Sequence, residues 1–170
     1  MGFFDALFGQ PTPPPLPTVT SVLPVAAVNE IEGGRLPILN TDTIFLKKDE
    51  YCHYIDKAIL LKEKTKKHYK GKHVGYSVPG LFKGDRIHVG GGTVDPVEEI
   101  ITEQFKGILY ITNKRIIFVA KQNGFDKMYR YLSAVIPYSN AIEFQYGSTV
   151  YCLLVPDGSL ANDVIKLINT

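Results

Sequence analysis

Residues 107–120, GILYITNKRIIFVA, decide the fold. Two apolar runs flank Asn113-Lys114, and asparagine tolerates the positive φ that tight hairpin turns demand. With that pair as the turn, Ile111 faces Ile116, Tyr110 faces Ile117 and Leu109 faces Phe118 across an antiparallel ladder. Both faces of the pair are then apolar, which fits central strands covered on both sides.

Working outward, DKMYRYL (126–132) reads as the next strand, and AIEFQYG (141–147) with TVYCLLV (149–155) as a second hairpin around Gly147-Ser148. The last fifteen residues, PDGSLANDVIKLINT, predict a helix capped by Asp157 or Ser159. Its Leu160, Val164, Leu167 and Ile168 form one apolar stripe at i, i+4, i+7 and i+8. Upstream, LPILNTD (36–42) suggests a short extended piece and a turn. Residues 50–63, EYCHYIDKAILLKE, place Tyr51, His53, Ile55, Lys57, Ile59 and Leu61 on one face of a strand. Lys62, Glu63 and Lys64 favour a helix, but the Tyr, Ile and Cys of the first half decide for the strand. HVGYSVP (73–79) and GDRIHVG (84–90) predict a strand pair joined near Pro79-Gly80. After GGGTVDP, Asp95 with Pro96 and Glu98 predicts a short capped helix over VEEIITEQ. The whole is mainly β: a bent antiparallel sheet or partly open barrel of about seven strands, capped by a C-terminal amphipathic helix.

Composition narrows the function classes. The chain has 170 residues, 45% of them apolar and 21% charged, with a net charge of +2. That balance excludes a globally polybasic nucleic-acid binder and a charge-rich disordered chain. Two cysteines, Cys52 and Cys152, make neither a disulfide framework nor a zinc site and read as reduced core residues. No run of about 18 apolar residues suggests a transmembrane helix. Residues 1–10 are a short apolar segment in which Phe3, Phe4, Leu7 and Phe8 fall at helical spacing opposite Asp5, a candidate contact for a membrane or partner, with docking on its own domain or a loose tail as the alternatives. Residues 11–35 read as a tether, because six of the 11 prolines fall between Pro11 and Pro24. A short turn of helix is expected in 25–35, ended by Gly33 and Gly34. The globular domain is then 36–170.

Residues 106–118, KGILYITNKRIIF, resemble the signature G-x-L-[YF]-[IL]-T-[NS]-x-R-[IL]-x-F of GRAM and bacterial pleckstrin-homology-like domains. Gly107, Leu109, Tyr110, Ile111, Thr112, Asn113, Arg115, Ile116 and Phe118 carry the match. The resemblance implies a seven-stranded bent sheet closed by a C-terminal helix, and a binding or scaffolding module without catalysis. The absence of tryptophan departs from the eukaryotic members and points to a bacterial or phage type. A fold alone supplies no function.

The strongest site signal is KEKTKKHYKGKH, residues 62–73. It holds six lysines against Glu63, a local charge of +5 in a chain whose remainder sums to −3. Placed as the loop between the strands at 50–63 and 73–79, it matches the loop that holds phosphoinositide headgroups in lipid-binding members of that family. The positions are Lys64, Lys66, Lys67, Lys70 and Lys72. Lysines near an anionic surface contribute about 1 kcal/mol each, although without arginine the run lacks bidentate phosphate contacts. The expected partner is an anionic lipid surface or a protein, with self-association a further candidate. Nucleic acid ranks last, because Tyr69 is a lone aromatic in the run. Gly90-Gly91-Gly92 reads as a strand-end turn, since no Walker lysine follows. Ser77 misses the nucleophile-elbow pattern. No catalytic constellation, metal spacing or cofactor motif stands out. The expectation is a non-enzymatic cytoplasmic module, peripheral at the inner face of the membrane.

Overall fold

The computed structural model describes residues 15–71, 76–79, 86–89 and 94–170, and the side chains of 15–67 and 98–170. Helix α1 spans Val25–Glu32. The strands are β1 (Cys52–Gly71), β2 (Tyr76–Pro79), β3 (Arg86–Val89), β4 (Val94–Thr112), β5 (Arg115–Ala120), β6 (Phe125–Met128), β7 (Ala134–Pro137), β8 (Ala141–Tyr146) and β9 (Thr149–Leu154). A 3-10 turn at Tyr129–Tyr131 follows β6, and helix α2 (Gly158–Ile168) closes the chain. Seven strands form one open antiparallel sheet in the order β6-β5-β4-β1-β9-β8-β7. Two meanders are thus joined where the first strand lies beside the last. The fold is the mainly-β sheet with a C-terminal helix that the sequence pattern implies.

The β4–β5 register has Ile111 opposite Ile116, Tyr110 opposite Ile117 and Leu109 opposite Phe118, as expected. The turn itself differs. Among the described non-glycine residues only Asp49 and Asn123 have positive φ, so Asn113 does not. The Thr112 hydroxyl closes the turn instead, accepting from the N–H groups of Lys114 (3.1 Å) and Arg115 (3.0 Å). This is the local side-chain substitute for backbone turn geometry.

The two faces of these strands are covered differently. Leu109, Ile111, Ile116 and Phe118 join the main core with Tyr54, Leu60, Phe144, Leu153 and Val155. Tyr110 and Ile117 pack with Cys52 on the opposite face, against Ile44, Ile55 and Ile108. Curling encloses the main core. Although β6 and β9 are four positions apart in the sheet order, the Phe125 and Tyr151 rings stack at 4.1 Å. The Tyr146 hydroxyl on β8 also donates to the Lys127 carbonyl on β6.

Residues 21–35, read as the end of a tether, are held on this core. Buried Asp56 accepts from the Ser21 hydroxyl (2.6 Å) and the Val22 N–H (2.7 Å), and Leu23, Ala27 and Ile31 are buried. Helix α1 begins after Pro24 and ends at Gly33. Its apolar positions at i and i+4 give proline-rich chain a reason to pack that proline content hides. Residues 1–10, with Phe3, Phe4, Leu7 and Phe8, lie outside the described residues.

Two further expectations are corrected. Residues 94–112 form one continuous strand where a capped helix was expected over VEEIITEQ. DKMYRYL is strand only to Met128 and then turns. In the first case β-branched Val94, Val97, Ile100, Ile101 and Thr102 suit the extended chain, and pairing outweighs the local cap. The second compact unit, residues 61–104, contains the outer lengths of β1 and β4. It also contains the antiparallel β2–β3 pair, with Tyr76 opposite Val89, in line with the expected strand pair.

In α2, Asp157 rather than Ser159 caps the helix, accepting from the N–H groups of Ser159 (2.9 Å) and Leu160 (3.1 Å). Ala161, Val164 and Ile165 are buried, with Leu160, Leu167 and Ile168 packing at the margin of the core. Gly158 is required by close approach: a β-carbon there would lie 1.9 Å from the Ala141 carbonyl oxygen and 2.2 Å from that of Tyr138. Both neighbours are backbone and cannot rotate away. Gly158→Ala should therefore destabilise the protein by about 2 kcal/mol or more, as overpacking does. An unchanged urea midpoint would disprove the close fit.

Candidate functional site

Up to Gly71 the lysine run is strand, not loop. β1 continues through it to Gly71, because the facing strand β4 supplies a complementary acidic edge. Lys64 Nζ lies 3.6 Å from Glu103 Oε1, and Lys67 Nζ lies 3.5 Å from Glu98 Oε1. All four side chains are substantially exposed, so each pair contributes little, on the order of 0.2–1 kcal/mol, and registers the ribbon more than it stabilises it. Lys66 has no carboxylate partner among the described residues. Lys70 lies on β1, but its side chain, like all of Lys72, lies outside the described residues. In the sequence, residues 68–97 hold four Lys or Arg against Asp85 and Asp95, whereas 61–67 and 98–104 together hold four Lys against four Glu. Positive charge is therefore displaced along the chain away from the paired segments.

The structure reveals a second polar assembly that sequence reading passed over. Arg115, at the signature position after the hairpin turn, is buried. Its Nε donates to Glu50 Oε1 at 2.8 Å and its Nη2 to Glu50 Oε2 at 3.3 Å. Nη1 binds the Asp126 carboxylate on β6, and Nη2 also donates to the Phe45 carbonyl. Glu50, also buried, accepts in addition from the Thr112 hydroxyl and the Lys47 N–H, each at 2.7 Å. Burial pushes the Glu50 carboxyl up, but the hydrogen bonds from Arg115, Lys47 and Thr112 outweigh it and hold the group below its ordinary value. The Glu50 hydrogen bond in turn raises Arg115.

This assembly orders an exposed loop. Asn113 donates from its backbone N–H to the Tyr51 carbonyl (3.1 Å), and its side chain accepts from the Tyr51 N–H (2.8 Å) and donates to the Asp49 carbonyl (3.0 Å). Lys114 Nζ reaches the Lys48 carbonyl. Glu50 lies 65 positions before Arg115, so no sequence window could pair them. The TNKR match was the available signal for Arg115, but it carried no partner.

The remaining candidates are structural. His53 is buried and donates from Nδ1 to the Pro37 carbonyl at 2.6 Å. Burial pushes the Cys52 thiol up to about 11, so it stays protonated at neutral pH. Among the described residues no group of three or more His, Cys, Asp and Glu could hold a metal ion. Ser77 and His88 lie on β2 and β3, while Gly90, Gly91 and Gly92 lie outside the described residues. No helix among the described residues is long and apolar enough to cross a membrane.

The geometry so far defines a class: a curled, open seven-stranded sheet with a closing helix, two of whose strands, β1 and β4, run on into the lysine- and glutamate-bearing residues 61–104. No protein-family model, curated protein or solved structure matches the chain.

Glu50→Gln tests the buried assembly. Losing one partner of a buried ion pair should destabilise the protein by about 3–5 kcal/mol at neutral pH. Because the folded Glu50 titrates below the ordinary 4.5, its contribution is present above that pH. It is lost as pH falls through the lower folded value. The melting-temperature gap between wild type and Glu50→Gln should therefore be constant near neutrality and narrow in acid. A gap independent of pH would refute the ionised pair.

Proposed function

We propose that this protein is a non-catalytic binding module that engages an anionic membrane surface through the basic part of its β-ribbon, peripherally at the cytoplasmic face. The observation that carries the reading is the distribution of charge along the ribbon. Glu98 and Glu103 engage Lys67 and Lys64, while Lys66 is without a carboxylate partner among the described residues. The sequence beyond it, including Lys70 and Lys72, is basic on balance. A paired strand can hold charge such as that of Lys66 and Lys70 against headgroups without the entropy loss of ordering a free loop. The resemblance of residues 106–118 to GRAM and pleckstrin-homology-like domains supports the same class by analogy of fold. The apolar residues Phe3, Phe4, Leu7 and Phe8 would add a second weak anchor, and two weak anchors hold where one does not.

A protein partner is the second reading, favoured by one observation. Ile136 on edge strand β7 and Val150 on β9 are exposed, and the β7–β8–β9 register sets both on the face of Glu143 and Gln145, away from the core. Such a face suits a docking protein.

Co-sedimentation with phosphatidylcholine vesicles, with and without phosphatidylserine, separates the two readings. The full chain should pellet only with the anionic vesicles, and less as salt rises. Replacing Lys66, Lys70 and Lys72 together by Gln should weaken binding about a hundred-fold at low salt. Replacing Lys64 and Lys67 should weaken it less, because each already faces a glutamate. A chain that stays in the supernatant throughout refutes the membrane reading and leaves the protein-binding one.

A further inference from the structure

The loop at residues 43–48 presents Phe45 to solvent in an ordered setting. Its side chain is held outside the core, and the residue is 94% exposed, the highest value among the exposed large apolar residues described. The flanking contacts explain why it cannot fold inward. Ile44, its neighbour, is packed against the second apolar cluster with Cys52, Tyr110 and Ile117. The Phe45 carbonyl is taken by buried Arg115. The chain then turns tightly: the Lys47 N–H donates to Glu50 Oε2 at 2.7 Å, and the Glu50 N–H donates back to the Lys47 carbonyl at 3.1 Å. Lys114 Nζ fixes the Lys48 carbonyl from the hairpin side.

Leaving a phenylalanine in water forgoes the free energy of burying its ring, and here the loop is organised so that it does. The next residue, Leu46, is also exposed and lines, with Ile38 and Tyr51, an open hollow of about 600 Å³. Lys47 and Lys48 follow Phe45 in the loop, and Lys114 joins them through its contact to the Lys48 carbonyl, while Asp42 and Asp49 flank the loop on either side. The tip therefore carries a net +1, and the apolar ring supplies the larger share of any binding.

We infer that the loop at 43–48 is a membrane-insertion tip, with Phe45 entering the interfacial layer of an anionic bilayer and Lys47, Lys48 and Lys114 at the headgroups. An exposed apolar ring next to lysines suits a fluid interface, which needs no complementary pocket, better than it suits a rigid protein surface. This deepens the membrane reading above and rests on it, but it uses different residues, at the hairpin turn of β4 and β5 rather than on the ribbon.

The chain contains no tryptophan, so Phe45→Trp introduces a sole indole reporter. The full-length variant is titrated with phosphatidylcholine–phosphatidylserine vesicles while emission and pelleting are read together. Emission should move to shorter wavelength and be quenched by brominated acyl chains. Phe45→Ala should weaken partitioning about ten-fold, in keeping with the loss of one inserted aromatic. Pelleting with unchanged emission overturns the insertion tip and leaves the ribbon reading intact. Neither pelleting nor a shift overturns both. A shift that depends on protein concentration without vesicles overturns the insertion tip in favour of self-association.

Discussion

The buried bond between Arg115 and Glu50 is the constraint on which the body of the protein turns. Two opposite charges removed from water must satisfy each other and every remaining hydrogen-bonding site, or the desolvation penalty goes unanswered. Here the guanidinium reaches Glu50, Asp126 and the Phe45 carbonyl, and Glu50 collects Thr112 and the Lys47 N–H besides. That set joins the β4–β5 turn, strand β6 and the loop before β1. It thereby closes the second face of the sheet, where Ile44 covers Cys52, Tyr110 and Ile117. The same bonds deny Phe45 a place in the core, so an interaction that stabilises the fold also shapes the exposed surface.

Charge does different work along the ribbon. At Arg115 and Glu50 it is buried, paired and directional, whereas at Lys64, Lys67, Glu98 and Glu103 it is exposed and screened. The Lys64–Glu103 and Lys67–Glu98 contacts add little free energy, but they align a lysine-rich strand with an acidic one. Without such a partner, six lysines within twelve residues would repel one another. Pairing also explains why VEEIITEQ is extended: as a helix it would have set its glutamates on a free surface, and as a strand it sets Glu98 and Glu103 against lysines.

Legibility in the sequence followed the distance between interacting residues. The β4–β5 register could be read because its partners are within thirteen positions of each other and the apolar pattern admits one alignment. The closing helix, with its cap at Asp157 or Ser159, was legible for the same reason, as was the hairpin at Gly147, whose φ of +61° a glycine adopts without strain. The candidate lysines could be counted, but not their setting, since Glu98 and Glu103 lie more than thirty positions away. Phe45 was passed over altogether. In the sequence it is one aromatic among nine phenylalanines, and nothing local says which of them faces water.

The sequence by itself determined the class of architecture, the strand pairing nearest the hairpin, the closing helix and the concentration of positive charge in one segment. These depend on period, turn chemistry and composition, all local quantities. Tertiary structure alone decided that the lysine run is a paired strand, that residues 21–31 belong to the core through Asp56, and that Arg115 meets Glu50. It also decided that Phe45 stays outside. Each of these is settled by contacts between segments distant along the chain, where desolvation and hydrogen-bond satisfaction outweigh the local preference of any one of them.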